Sequence, residues 1–233
     1  MNAHALQRNI AVTAPPSMCL VAGKKLSAQD IYPQLFDAIL EQRIVPTSRF
    51  TEESLAHSFG VSRSAIRRVL ARLADQQVII LRPNLRAQVA APDTHHMQQV
   101  LQARRLMEVT VVHLACAQAK PAQISQLREL IAQQDECTER RQYGSAIRLA
   151  GEFHLHLATI AGNRPLAHFL NSLVPLTSLF VARHDAQVYS DCAGQAQMAI
   201  VEALGRADAT IAAARMTQHL EHLQHRLGQP DQG

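Results

Sequence analysis

With 233 residues, 47% of them hydrophobic and only 4% aromatic, the chain is long enough for one or two domains with aliphatic cores. Its net charge of +4 is small but unevenly spread: residues 1–92 hold 11 Lys/Arg and 6 Asp/Glu, and residues 93–233 hold 12 and 13. No apolar run approaches the length of a membrane span, the N-terminus has no signal-peptide pattern, and Cys19, Cys116, Cys137 and Cys192 are too scattered for a zinc ribbon or a disulfide framework, so a cytoplasmic protein without membrane contact is expected.

Residues 1–26 show no periodicity and carry Pro15-Pro16 and Gly23-Lys24-Lys25, which reads as a flexible arm. Ser27 stands where a helix cap belongs, Pro33 is close enough to the start to be tolerated, and Ile31, Leu35, Ile39 and Leu40 form a helical stripe. Pro46 marks a turn. Thr51 caps a second helix, with Glu52 and Glu53 in the first turn, where the helix dipole favours anions, and Leu55, Ala56 and Phe59 on its apolar side.

The segment Phe59 to Leu73 is the most informative. A Phe-Gly-Val-Ser turn leads to Ser62, whose oxygen can accept a free amide of the next helix. Ile66, Val69, Leu70 and Leu73 make one buried stripe, while Arg63 with Arg67 and Arg68 with Arg72 are spaced four apart and project as pairs. A helix buried on one side and cationic at its exposed start suits the DNA major groove. Two short apolar runs follow, Val78-Ile79-Ile80-Leu81 and Ala87-Gln88-Val89-Ala90, around the turn Arg82-Pro83-Asn84-Leu85-Arg86. Three helices and a two-stranded wing make a winged helix-turn-helix over residues 27–91, whose Arg82 or Arg86 can follow a phosphate strand or a minor groove.

Ala91-Pro92-Asp93 reads as a linker into a helical domain over residues 92–229. One helix runs from Thr94 to Lys120, a second spans about 122 to 142, a third ends at Gly162-Asn163, a fourth follows Pro165, a fifth spans about 190 to 205, and a sixth runs from Asp208 to Leu227. The fold class expected is mainly α: the winged module followed by an all-α six-helix bundle.

The run Leu55 to Leu70, including Phe59-Gly60-Val61-Ser62-Arg63-Ser64-Ala65-Ile66-Arg67-Arg68, resembles the recognition signature of the GntR family of bacterial transcription regulators. The order of wing module, linker and bundle resembles the FadR-type subfamily with its FCD effector domain. The resemblance implies that Arg63, Ser64 and Arg67 contact operator DNA, with Ser62 capping and Arg68 an added cation beside them. Where the family has an Arg-Gly pair before the second strand, Leu85-Arg86 stands here, so Arg86 is expected to add a phosphate contact. In the bundle, Arg104-Arg105-Leu106-Met107-Glu108, Phe153-His154 with Gly162-Asn163, and Met216-Thr217-Gln218-His219-Leu220 resemble the helices that line the family's effector pocket.

That resemblance assigns Arg104, His154, Gln197 and His219 to an effector site for a small carboxylate. A structural ion pair between Arg104 and Glu108 is the alternative reading of that arginine. The metal-bearing form of the domain uses an Asp and three histidines; here Ala150 and Gln197 occupy two of those positions. His154 and His219 remain as weak metal candidates, short of the three or four ligands a stable divalent ion wants, so no cofactor is expected. An anionic effector would then rest on Arg104 and a protonated histidine, and bind better as pH falls toward 6.

These features imply a ligand-controlled regulator that binds a palindromic operator as a homodimer. A helical metal-dependent enzyme with a basic appendage would need paired carboxylates or Glu-x-x-His repeats, and there is no such repeat, Gly-rich phosphate loop or nucleophile elbow. A non-specific architectural DNA binder would have no use for the second domain and its pocket arginine.

Overall fold

The computed structural model describes residues 27–46, 48, 50–82, 86–184 and 186–227. The expected arm, Cys19 and the wing tip Pro83-Asn84-Leu85 lie outside the described residues. Three helices open the chain: α1 (Ala28–Leu40), α2 (Glu52–Phe59) and α3 (Arg63–Asp75). Each has the cap expected of it. Ser27 and Asp30 form a reciprocal capping box, as do Thr51 and Ser54, and Ser62 Oγ accepts from the Ala65 amide. Gly60 ends α2 at φ +63°, a backbone conformation that costs glycine nothing, and the Val61 amide closes back onto the Ala56 carbonyl.

Strands β1 (Ile79–Ile80) and β2 (Gln88–Val89) pair antiparallel with Ile79 opposite Val89. They are shorter than the two apolar runs, and Ala87 continues the pairing by bridging to Phe50, an edge that sequence reading missed. The wing is thereby tied to the turn before α2.

Six helices follow: α4 (Thr94–Gln118), α5 (Pro121–Glu139), α6 (Tyr143–Ile160), α7 (Arg164–His184), α8 (Ala186–Gly205) and α9 (Ala209–Leu227). Several limits differ from expectation; helix α4, for one, stops at Gln118 rather than Lys120. Helix α5 stops at Glu139 rather than 142, because Arg141 takes φ 58° and the Gln142 amide bonds the Cys137 carbonyl. Helix α8 starts at Ala186, before the expected 190, directly after α7. The statement that no apolar run approaches a membrane span also needs correction. Helix α7, 21 residues long and containing an 18-residue stretch of mean hydropathy 1.4, qualifies by length and composition. It packs against α4 and α6 and buries Leu170, Val174, Leu179 and Phe180 inside the protein.

One hydrophobic core joins the two parts. Ile31, Leu35 and Ile39 of α1 and Ile66 and Leu70 of α3 belong to the same buried cluster as Leu101, Ile147, Ala150, Phe180 and Leu223. A second cluster, with Val112, Phe153, Leu157, Ile200 and Met216, fills the far half of the bundle. The end of α1 meets the start of α6 closely. A Cβ on Gly144 would stand 2.5 Å from Glu41 Cγ and 3.1 Å from the Asp37 carbonyl oxygen, so only a residue without a side chain fits there. Cys116 and Cys137 form no disulfide among the described residues.

Candidate nucleic-acid interface and buried polar site

Helix α3 buries Ala65, Ile66, Val69, Leu70 and Leu73 against the module, which leaves Ser62, Arg63, Ser64, Arg67 and Arg68 exposed along the opposite face. Arg82 and Arg86 are exposed on the two sides of the wing turn. All seven predicted DNA contacts are therefore accessible. Arg67 carries a feature that sequence reading did not find. Its Nε donates to Glu52 Oε1 at 2.9 Å and its Nη2 to Oε2 at 2.8 Å, and these bonds hold the Glu52 carboxyl below the usual carboxylate range. The partners are fifteen residues apart and meet only because α2 and α3 cross. In this conformation Arg67 approaches phosphate only with Glu52 beside it.

The module is fastened to the bundle by polar links. Arg148 of α6 donates from Nε to Asp37 Oδ1 at 2.7 Å, Ser145 Oγ donates to Asp37 Oδ2 at 2.8 Å, and Arg148 Nη1 reaches Glu152 at 2.8 Å. Arg148 and Asp37 are only 13% and 14% exposed. Tyr32 of α1 donates to Gln76 at the end of α3 at 2.8 Å, Gln76 donates to Asn171 of α7 at 3.2 Å, and the Arg72 guanidinium lies 3.6 Å above the Tyr32 ring. Arg183 donates to the Ala90 carbonyl at 2.6 Å.

Inside the bundle, α4, α6 and α9 bring Arg104, His154 and His219 together around Glu108. Arg104 Nε donates to Glu108 Oε1 at 2.8 Å, and His154 Nδ1 pairs with Glu108 Oε2. The His154 and His219 rings stack with centroids 5.3 Å apart. Gln197 of α8 donates to the Ala150 carbonyl at 3.1 Å. These side chains are buried, and Arg104 Nη2, His154 Nε2, Gln197 Oε1 and His219 Nε2 are each enclosed without a hydrogen-bond partner among the described residues. Buried polar atoms are normally satisfied, so this set marks a place prepared for a ligand or water. Gln134 of α5, also buried with both amide atoms unpartnered among the described residues, was missed; nothing in its sequence context sets it apart.

The electrostatics alter the expected logic. Burial alone would raise the Glu108 carboxyl, but the Arg104 guanidinium, the His154 ring and the hydrogen bonds from both hold it down at about 2. The carboxylate therefore neutralises Arg104. With that carboxylate ionised, the proton of the shared bond sits on His154 Nδ1. Burial, with His154 and Arg104 nearby, pushes His219 down to about 3, so this histidine is not the one charged near pH 6. For a divalent ion the donors on hand are two imidazoles and an amide oxygen, beside a guanidinium. Ala150 offers none, and Glu108 is already engaged by Arg104 and His154. Among the described residues no group of three or more His, Cys, Asp or Glu could hold a metal. The set does not fit a divalent cation.

A winged helix-turn-helix with a cationic recognition helix, docked on an all-helical domain with a buried polar site, defines a DNA-binding regulator with a second, helical domain. Comparisons agree. Residues 27–89 match the model for bacterial regulatory proteins of the gntR family, and residues 99–222 match the FCD domain. The chain belongs to the GntR family of transcription regulators, in the group that carries an FCD domain, and is a DNA-binding protein rather than an enzyme. It is 28% identical to the Nta operon transcriptional regulator of Aminobacter aminovorans, over 55% of this chain and 60% of that protein. It is 25% identical to the Uxu operon regulator of Haemophilus influenzae, over 76% of this chain and 72% of that one, and 24% identical to the transcriptional repressor RspR of Escherichia coli, over 86% and 89%. The solved structure of Escherichia coli McbR/YncC shares the fold with a TM-score of 0.69 at 16% identity, covering 86% of this chain and 96% of that one.

Proposed function

We propose that this chain binds a palindromic operator as a homodimer in the cytoplasm, and that a small organic acid held around Arg104, His154, Gln197 and His219 controls that binding without a resident metal. Ser62, Arg63, Ser64, Arg67 and Arg68 form the major-groove face, with Arg82 and Arg86 on the flanking backbone. The observation that carries the reading is the double role of α6. His154 and the Ala150 carbonyl belong to the buried site, and Ser145 and Arg148, within three turns on the same helix, grip α1 of the DNA-binding module. A ligand that favours one setting of α6 thereby biases the module.

Self-association is supported by Leu106 and Leu114 on α4 and Phe169 on α7, large apolar side chains 69%, 37% and 57% exposed on two helices that pack together. The names of the Nta and Uxu operon regulators fit control of a metabolic operon. Footprinting across the intergenic region beside the protein's own gene tests the proposal. A protected two-fold site, released by an organic acid in the presence of a chelator, is expected. Diffuse protection, or a response abolished by chelator and restored by one metal ion per chain, would contradict it.

A further inference from the structure

Glu52, the first residue of α2, lies against the recognition helix. Its carboxylate accepts from Arg67 Nε at 2.9 Å and from Arg67 Nη2 at 2.8 Å. These bonds, with the charges of Arg67 and of Arg63 one turn earlier on α3, keep the Glu52 carboxyl ionised. The Arg67 side chain is 68% exposed and that of Glu52 29%, so the pair is part of the face that meets DNA and not of the core. An exposed pair of this kind contributes little to folding, and its effect falls on the choice of DNA.

A guanidinium has five N–H donors along two usable edges. The bonds to Glu52 occupy the side edge, made by Nε–H and one Nη2–H. The end edge, made by Nη1–H and the other Nη2–H, is not used by this pair, and its fork matches N7 and O6 of a guanine. The partners stand on different helices, so the crossing of α2 and α3 orders the arginine before DNA arrives and lowers the entropy lost on binding.

Pairing also weakens the pull of phosphate. A lone guanidinium releases counterions from any sequence, whereas Glu52 and Arg67 together are neutral and bring a carboxylate against the phosphate. A guanine edge carries no net charge, so a paired arginine meets it without that repulsion. Glu53, the next residue and exposed, puts a second carboxylate on the same turn and separates the effect of charge from that of the bond.

We propose that Glu52 sets the base selectivity of this regulator through Arg67: it keeps the guanidinium off the phosphates and leaves the end edge to a guanine in each half of the operator. The inference rests on the reading of α3 as the major-groove helix.

The test is selection by the full chain from a pool of short duplexes with a random core of about two helical turns, followed by anisotropy on the selected site and on one unrelated duplex across a salt series. Wild-type sites should carry a guanine, repeated by the two-fold symmetry, that Arg67→Gln no longer selects. Glu52→Gln should lose that same guanine and keep the rest of the palindrome. Replacing the guanine should then weaken wild-type binding about tenfold or more, and the variant less than about threefold. On the unrelated duplex Glu52→Gln should bind about tenfold tighter with a steeper salt slope, and on the selected site the gain should be smaller. Glu53→Gln should raise affinity without losing the guanine. Glu52→Gln/Arg67→Gln should lose no more base preference than either single variant, because both act on one contact. Melting of each variant without DNA checks that it is folded.

The proposal is overturned if Glu52→Gln selects the guanine as strongly as the wild type, if Glu53→Gln loses it equally, or if Glu52→Gln blurs every position of the palindrome alike. A wild-type palindrome in which Arg67→Gln changes no position would sink this inference and leave the regulator reading intact. A wild type that enriches no sequence from the pool removes both.

Discussion

Replacing Arg148 with Met should separate the DNA-binding module from the bundle more than any single surface change. The guanidinium is 13% exposed and bonds two carboxylates, Asp37 at 2.7 Å and Glu152 at 2.8 Å. Methionine keeps most of the aliphatic volume but leaves Asp37, 14% exposed, with the Ser145 hydroxyl alone. Breaking a buried ion pair from one side costs about 3–5 kcal/mol. Glu152 reaches solvent at 37% exposure, so the lower end of that range, about 3 kcal/mol, applies. For a chain of this length the fall in Tm is roughly 6–12 °C. Calorimetry of Arg148→Met, Asp37→Asn and the double variant measures the coupling directly, because the double should be less damaged than the sum of the singles. A fall in Tm below about 2 °C, or additive effects in the cycle, would refute the reasoning that this pair fastens α1 to α6.

Four further outcomes are expected. Arg63→Ala should weaken operator binding by about 1–3 kcal/mol if the side chain reads a guanine edge; undiminished affinity for the palindrome would remove it from the interface. Arg86→Gly should lower affinity about equally on all sequences and reduce the salt slope by about one charge, measured by fluorescence anisotropy across a salt series. Glu52→Gln should raise DNA affinity and steepen its salt dependence by releasing Arg67, whereas a loss of affinity would mean that the ion pair positions Arg67 for DNA. His219→Gln should flatten the acid limb of the stability curve. The unfolded chain takes up this proton near pH 6.5 and the folded chain only at about 3, with His154, Arg104, Glu108 and His222 around the ring, so its contribution is complete above 6.5 and declines by about 1.4 kcal/mol per unit below it. Denaturant titrations from pH 7 to 4 that give the same slope for both proteins would contradict the assignment.

What could be read from the sequence was local. Ser27, Thr51 and Ser62 declare their helices because a cap acts over three residues, and Gly60 declares its turn because only glycine takes φ +63° without strain. The stripe of α3 is equally visible, since burial follows helical period. The helix ends at Gln42, Gln77, Arg141 and Ala207 gave no such signal. Each holds a left-handed conformation that its own residue type disfavours, imposed by the surrounding packing. The pocket was partly visible for the same kind of reason. Glu108 stands four residues from Arg104 on one helix face, but its bond to His154 spans forty-six residues and is a product of packing. The latch of Asp37 on Arg148, at a separation of 111, and the pairing of Glu52 with Arg67 have no counterpart in any local pattern. The first fastens the module to the bundle, and the second lies within the module.

Size determines whether such a latch can regulate. Lowering operator affinity a hundredfold needs a coupling free energy of about 2.8 kcal/mol, since each factor of ten is about 1.4. An effector of the proposed kind would have to supply it as a difference in affinity between two settings of the protein, because a ligand that binds both equally shifts nothing. The Asp37–Arg148 link, at about 3 kcal/mol when broken, is of the right magnitude to be the element that changes. The shared core argues against free swinging of the module, because Ile31, Leu35 and Ile66 would have to leave Ile147, Ala150 and Phe180. A small rotation of α6 satisfies both constraints. It moves the Ala150 carbonyl relative to Gln197 at one point and re-aims Arg148 at Asp37 less than one turn away, while the apolar contacts slide rather than part.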